Sequence, residues 1–160
     1  MRELHIGSTI INDDSDCFVI AEIGHNHQGN LELCKEMFRA AKIAGASAVK
    51  IQKRDNHFLY TKEFYNSPYN SENAYAPTYG EHRDFLEFDQ AEYEELARFA
   101  KELDIIFFAT PFDTHSVDFL EQFDMPAYKL ASAELTNVPF LEYVAKKGRP
   151  LIISTGAATM

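Results

Sequence analysis

The sequence predicts an α/β fold of parallel strands joined by helical crossovers, and three observations carry that prediction. Short apolar runs alternate with amphipathic stretches along nearly the whole chain, so that strand and helix follow one another in turn. The amphipathic stretches repeat their apolar residues at three- and four-residue spacing, whereas the runs between them are too short for helices. The composition is that of a folded domain, with 46% apolar and 25% charged residues in a chain of 160, enough to bury a core. Right-handed crossovers leave two architectures, an open doubly wound sheet and a (β/α)₈ barrel. No GxGxxG or GxxxxGK[ST] stands at a strand–helix junction, which weakens a nucleotide-binding version of the open sheet.

Taken in order, LHIGSTIIND predicts a small hairpin turned at Gly7 and Ser8, placed to cap the bottom of a barrel. CFVIAE (17–22) reads as the first strand of the repeat, and after GHNHQGN a helix carries Leu31, Cys34, Phe38 and Ala41 on one face. ASAVKIQ (46–52) is the second strand. A helix over 90–103 puts Tyr93, Leu96, Phe99, Ala100 and Leu103 on its apolar side. DIIFFAT (104–110) is the third strand, after which Pro111 and Asp113-Thr114 supply a turn and a helix cap, the helix running to about Phe123. AYKLA (127–131) is the fourth strand, a helix starts after Asn137, and RPLIIST (149–155) is the fifth strand.

Residues 53–88 break this rhythm. They show no period and exceed an ordinary strand-to-helix loop, yet they carry Tyr60, Tyr65, Tyr69, Tyr75 and Tyr79. So aromatic a segment predicts a folded lid over the active edge rather than a disordered linker, with a purely packing insertion as the plainer alternative.

The formal net charge of −10 argues against a nonspecific grip on nucleic acid. An anionic substrate has to be held by local cations against that field, which makes individual lysines informative. Cys17 and Cys34 form no CxxC pair and read as buried free thiols. No apolar run approaches membrane-spanning length and no signal-type segment follows the first residues, which predicts a soluble, cytoplasmic protein.

Side chains two apart share a strand face. Ala48, Lys50 and Gln52 therefore oppose Val49 and Ile51, and Ala127, Lys129 and Ala131 oppose Tyr128 and Leu130. If the larger apolar set packs on outer helices, both lysines point inward, and Glu22 ends the first strand. An interior lysine is costly without a counter-charge or ligand. Two of them suggest a bound anion, the plainer alternative being pairing with Glu22 or Glu134. Other strand ends carry Thr110, then Ser132 and Glu134, then Ser154-Thr155-Gly156, on the edge where barrel enzymes build their sites. Thr114 and Asn137 read as helix caps. Among the histidines, His27 reads as a site or loop-fixing residue and His25 as structural. His5, His57 and His115 read as solvated or locally bonded, and His82 is left open within the insertion.

AEIGHNHQGN, VKIQKRDN, TYGEHRDFLEF, ATPFD, PAYKLASAELTN and KKGRPLIISTGAATM stand in this order from about Phe18 onward. In combination they resemble the N-acetylneuraminate (sialic acid) synthase family, which includes legionaminic and pseudaminic acid synthases. The resemblance implies a TIM-type (β/α) barrel, of which this chain supplies about five of eight βα units. It implies condensation of phosphoenolpyruvate with an open-chain N-acetylhexosamine, usually N-acetylmannosamine. By motif, Lys50, Thr110, Lys129, Ser132 and Ser154 hold phosphoenolpyruvate, while Glu22, Gln52 and Glu134 surround sugar, metal and water. The divalent metal, Mn²⁺ or Mg²⁺, is expected to find its ligands downstream, with none in this chain. Ala133 departs from the glycine the family commonly has beside Ser132 and Glu134. The chain is also shorter than a whole barrel of about 250 residues, so five strands leave two edges and predict a homo-oligomer. Two other functions stand beside the synthase: a non-catalytic half-barrel that binds an anion or self-associates, and a Schiff-base aldolase using Lys50 or Lys129.

Overall fold

The computed structural model describes residues 2–156, 158 and 159; Ala157 and Met160 of the GAATM run, like Met1, lie outside the described residues. A hairpin opens the chain, with β1 (Glu3–Ile6) antiparallel to β2 (Thr9–Asn12) and Ile6 opposite Thr9. Its turn holds Gly7 at φ +57°, a conformation that a side chain disfavours.

Five parallel strands follow: β3 (Ile20–Gly24), β4 (Ala48–Lys53), β5 (Ile106–Pro111), β6 (Tyr128–Leu130) and β7 (Leu151–Ile153). They pair in sequential order, β3-β4-β5-β6-β7. A doubly wound sheet reverses its strand order at a switch point, and this one does not. The chain is a run of consecutive βα units, a partial barrel wall.

The crossover helices are those that the apolar spacing predicts. Asn30 caps α1 (Leu31–Ile43) by accepting from the Leu33 N–H, and Cys34, Phe38 and Ala41 are buried beneath it. A reciprocal capping box of Asp89 and Glu92 starts α5 (Gln90–Glu102), which buries Tyr93, Leu96, Phe99 and Ala100. The cap of α6 (Thr114–Glu121) is Asp113, whose carboxylate accepts from the Ser116 N–H. Thr114 is therefore the first helical residue and not the cap expected of it. Asn137 does cap α7 (Val138–Ala145). Val49, Ile51, Phe107, Ala109, Tyr128 and Leu130 face these helices and form the core with Phe38, Tyr93, Leu96, Val117, Leu120, Phe140 and Val144. Burying each large apolar side chain contributes about 1.5–3 kcal/mol, so this face fixes the strands' orientation.

Two strand boundaries and the burial of one cysteine differ from the sequence reading. The first strand of the repeat begins at Ile20, and Cys17 is exposed while Cys34 is buried. The polar run Asp13, Asp14, Ser15 and Asp16 stays at the surface and keeps Cys17 there with it. The fifth strand is only three residues long.

The 53–88 segment is folded. It contains α2 (Asn56–Leu59), α3 (Lys62–Tyr65) and α4 (Tyr79–Phe85), with a β-bridge between Pro68 and Thr78. Its rings pack on one another, partly at the surface, with Phe64 and Tyr79 at 4.8 Å, Tyr69 and Tyr79 at 5.4 Å, and Tyr75 and Phe85 at 4.6 Å between centroids. Gly80 lies so close to the Tyr65 ring that no Cβ fits there.

Candidate active site

Strand register assembles the site. Glu22 stands opposite Lys50, and Gln52 opposite Thr110. Because Val49 and Ile51 face the helices, Lys50 and Gln52 face the interior of the wall. Lys50 is only 2% exposed; its Nζ donates to Thr110 Oγ1 at 2.8 Å and stands 3.5 Å from Glu22 Oε2. Glu22 keeps 57% of its side chain exposed, so its carboxylate spans from the ammonium to solvent.

On β6, Lys129 Nζ donates to the Leu130 carbonyl at 2.9 Å and to Ser154 Oγ at the end of β7. Ser132 lies in a 3₁₀ turn (Ser132–Glu134) against the loop after β7, 3.5 Å from where a Cβ on Gly156 would sit. Burial lowers the Lys50 pKa, Glu22 partly restores it, and the charges of Lys129 and Arg54 lower it further. The two lysines therefore feel each other across the interior. Two interior ammonium groups, each bonded to a strand-end hydroxyl, suit a small, multiply charged anion.

Of the residues singled out by sequence, Glu22, Lys50 and Thr110 are brought into one hydrogen-bonded and ion-paired group, and Lys129 and Ser154 into another. The Gln52 side-chain amide lies over Gly24, 3.6 Å from where a Cβ would be, and its backbone carbonyl accepts from the Tyr93 hydroxyl at 3.1 Å. Glu134 is not brought to either lysine: its Oε2 accepts from Asn137 Nδ2 at 2.8 Å, because the 3₁₀ turn carries it toward the start of α7. Ala133 has none of the positive φ that would require glycine, so its departure from the family pattern costs the turn nothing.

His27 is a loop-fixing residue. It is 1% exposed, stacks on Phe88 at 4.2 Å, and its Nδ1 accepts from the Gly29 N–H at 3.2 Å. Burial, with His25 nearby, pulls its pKa down to about 4. His115 bonds Asp55 at 2.9 Å, His5 bonds Glu3, and exposed His57 stacks on Tyr65. His82 is buried within the insertion, where its Nδ1 accepts from the Tyr75 N–H at 3.2 Å.

One cluster escaped the sequence reading. Glu87, near the end of the insertion, stands 3.2 Å from His25 Nε2 and 3.4 Å from Lys53 Nζ. It also accepts from the Arg54 N–H at 3.0 Å. The signal for Arg54 was present: it is the next rung in the alternation 48, 50, 52, 54. Nothing local points from Glu87 to His25. These donors do not fit a divalent cation, since Glu22 is engaged by Lys50 and the His25–Glu87 pair is ringed by Arg54 and Lys53. Among the described residues no group of three or more His, Cys, Asp or Glu could hold a metal ion.

Residues 37–160 match the NeuB family. The chain is 44% identical over 144 residues to N-acetylneuraminate-9-phosphate synthase of Homo sapiens, a match covering 90% of this chain and 40% of that protein. It is 43% identical over 141 residues to N,N'-diacetyllegionaminic acid synthase of Legionella pneumophila, covering 88% of this chain and 40% of that one. The crystal structure of N-acetylneuraminic acid (sialic acid) synthetase from Leptospira borgpetersenii, in complex with citrate, matches with a TM-score of 0.82. That pair is 28% identical, over 99% of this chain and 51% of the other. The chain belongs to the NeuB family of sialic and related nonulosonic acid synthases. It spans about 40% of the length of the curated relatives it matches.

Proposed function

We propose that this chain carries the phosphoenolpyruvate-binding part of an enzyme that condenses phosphoenolpyruvate with an N-acetylhexosamine, with N-acetylmannosamine as the acceptor we favour. The products are a nine-carbon keto acid of the sialic type and phosphate. The observation that carries the reading is the convergence of buried Lys50 and half-buried Lys129, each bonded to a strand-end hydroxyl, on one interior face.

In this reading Lys50, Thr110, Lys129, Ser132 and Ser154 hold the phosphate and carboxylate of phosphoenolpyruvate. Its C3 carbon attacks the sugar aldehyde, water adds at C2, and the tetrahedral intermediate expels phosphate. The fixed cations stabilise charge that shifts between carboxylate and phosphate during these steps. Glu22 reaches solvent beside Lys50 and is placed to accept a proton from the water that adds at C2, while the aldehyde oxygen takes up a proton as the carbon–carbon bond forms. Gln52 lines the same face. Glu134 joins them only if its bond to Asn137 opens when the acceptor arrives. A divalent metal, Mn²⁺ or Mg²⁺, is proposed to bring ligands from outside this chain, and no step here is routed through it. We also propose a cytoplasmic homo-oligomer; no helix among the described residues is long and apolar enough to cross a membrane.

The test is phosphate release by the full-length protein given phosphoenolpyruvate and N-acetylmannosamine with Mn²⁺. One phosphate should appear per sugar consumed, and none with either substrate alone. Stabilisation by phosphoenolpyruvate without any phosphate release would instead favour the non-catalytic half-barrel that binds an anion. The lowered Lys50 pKa is the one observation that favours a Schiff-base aldolase. Borohydride trapping of a Lys50 adduct with a carbonyl substrate would move the conclusion there.

A further inference from the structure

We propose that Glu87 is a positioning residue: from the insertion it ties the loop after β3 to the end of β4, and so sets how Glu22 stands to Lys50. The inference rests on the proposed condensation, in which Glu22 accepts the proton of the adding water.

The two strands need such a tie because their pairing fails at the active edge. Ile20, Ala21 and Glu22 pair with Ala48, Val49 and Lys50, but Gly24 then pairs with Ile51, leaving Ile23 as an extra residue. Gly24 holds this bulge at φ +58°, a conformation that suits glycine. Past it, β4 continues with β5 alone: among the described residues the strand partners of Gln52 and Lys53 are Thr110 and Pro111. Glu22 is the last regularly paired residue before the bulge, and its carboxylate stands 3.5 Å from Lys50 Nζ. Any drift of the β3 end is felt at that contact.

Glu87 spans the gap. Its side chain is only 10% exposed. Its Oε2 accepts from the Arg54 N–H at 3.0 Å and lies 3.4 Å from Lys53 Nζ, both at the end of β4. Its Oε1 stands 3.2 Å from His25 Nε2 in the loop after β3, an ion-pair approach rather than an aligned hydrogen bond. Arg54 Nη1 lies 3.4 Å from each nitrogen of the same imidazole, and its guanidinium is stacked on Phe112 at 3.7 Å. His25 is in turn coupled to the strand. The Ile23 carbonyl accepts from the Asn26 N–H at 3.0 Å and from Asn26 Nδ2 at 2.8 Å, closing a tight turn around it. Burial would raise the Glu87 pKa, yet His25, Lys53 and the Arg54 N–H hold it below its ordinary value, so the carboxylate is ionised at neutral pH.

The groups proposed to hold phosphoenolpyruvate do not depend on this tie. β4 and β5 pair without interruption from Ala48 opposite Ile106 to Lys53 opposite Pro111. Lys50 is bonded to Thr110 across that ladder, and Lys129 to Ser154 further along the wall. Loosening Glu87 therefore displaces Glu22 and leaves both lysines where they are. Turnover suffers while phosphoenolpyruvate binding does not.

The experiment uses the full-length protein and measures kcat for phosphate release beside a phosphoenolpyruvate titration, in Glu87→Asp and Glu87→Gln. Asp keeps the charge but is one methylene short; Gln keeps the reach and can accept from the Arg54 N–H without the charge. Glu87→Asp should lower kcat about 10- to 100-fold, the scale of a small misplacement, and Glu87→Gln should recover most of it. Both should bind phosphoenolpyruvate within about twofold of the parent. Parental kcat in Glu87→Asp overturns the proposal, as does the reverse order, in which Asp works and Gln does not. So does a loss of kcat and affinity together. Should both variants lose kcat alone, or should Glu87→Asp fail to fold, His25→Leu decides, since it cuts the tie at its β3 end and leaves the Glu87–Arg54 bond. A matching fall in kcat with affinity intact supports the tie, and parental kcat overturns it. If the parent releases no phosphate, the proposed function fails, and hydrogen exchange then tests the tie by itself. Faster exchange at residues 22–28 in Glu87→Asp, with 106–111 unchanged, supports it; no difference overturns it.

Discussion

Replacing Lys50 with Met keeps most of the apolar stem and removes the ammonium, and the structure supplies both sides of the expected outcome. Without ligand, the protein loses the 2.8 Å bond to Thr110, worth about 0.5–1.5 kcal/mol. Against this, the buried ammonium has a lowered pKa, so the unfolded chain holds that proton more tightly than the folded one. The charge costs stability below the ordinary lysine pKa, and Met removes the cost. Glu22, left without its partner, is 57% exposed and is rehydrated. The net change should stay within about 1 kcal/mol, or about 2–4 °C in melting temperature. With ligand the result is different. A lost charge-assisted contact of about 1.5–3 kcal/mol weakens phosphoenolpyruvate binding by about 10- to 150-fold. Lys129→Met should weaken binding comparably. The assay pairs a ligand-free melting scan with a phosphoenolpyruvate titration for each variant. Unchanged affinity in both, alongside a melting loss beyond about 8 °C, would mean that the lysines are structural and the anion site does not exist.

Acid should destabilise the protein through His27. The folded pKa is about 4 against 6.5, so the unfolded chain takes up the proton first; stability should fall as pH drops from about 6.5 and level off below about 4. The gap is worth at most about 3 kcal/mol, and denaturant unfolding at pH 7 and pH 4 should show the parent losing more than His27→Phe. Gly29→Ala combines φ +70° with a collision against the Phe85 carbonyl and should cost about 2–4 kcal/mol in the same assay. Gly45→Ala, at φ +85° with nothing within 4 Å, should cost only about 1 kcal/mol. Exposed Cys17 should react with a thiol reagent in the native protein. Buried Cys34, its pKa pushed up to about 12, should react only after unfolding, as mass spectrometry of the labelled chain would reveal.

What was legible in the sequence was what a local rule determines. Alternation placed Val49 and Ile51 against the helices and therefore turned Lys50 inward, and the same rule worked for Lys129. Helical spacing found Cys34, Phe38 and Ala41 beneath α1, and Tyr93, Leu96, Phe99 and Ala100 beneath α5. Where two local rules competed, the reading slipped. Asp113 and Thr114 are both good caps, and only the coordinates show that Asp113 takes the Ser116 N–H. Cys17 adjoins an apolar run and looks buried from within it, yet the acidic stretch before it keeps it in water. Glu134 illustrates a different limit. Its motif pointed to the site, whereas a short turn directs its carboxylate toward Asn137. The contacts of Glu87 were out of reach altogether, because they join residues 33 and more positions apart with no period between them.

Those long-range contacts change how the insertion is to be understood. Its neck is closed by Lys53 Nζ donating to the Phe88 carbonyl at 2.7 Å and by Arg54 bonding Glu87, while Asn56 Nδ2 donates to Asp84 at 2.8 Å one turn inside. A second anchor lies on the neighbouring unit: Asp113 Oδ2 accepts from the Asp55 N–H at 2.8 Å while its other oxygen caps α6. The carboxylate that starts the helix after β5 thus also holds the insertion that follows β4. Swinging the whole segment away would break the Asp55–Asp113 bond, strip Glu87 from His25 and expose His27 behind Phe88. The energetics favour a fixed rim, whose outer stretch is itself tied by the Pro68–Thr78 bridge. A rim held at fixed distance gains no selectivity by closing on its substrate. Selectivity then has to come from the groups the rim presents, such as Arg54, held between His25 and the Phe112 ring at its inner edge.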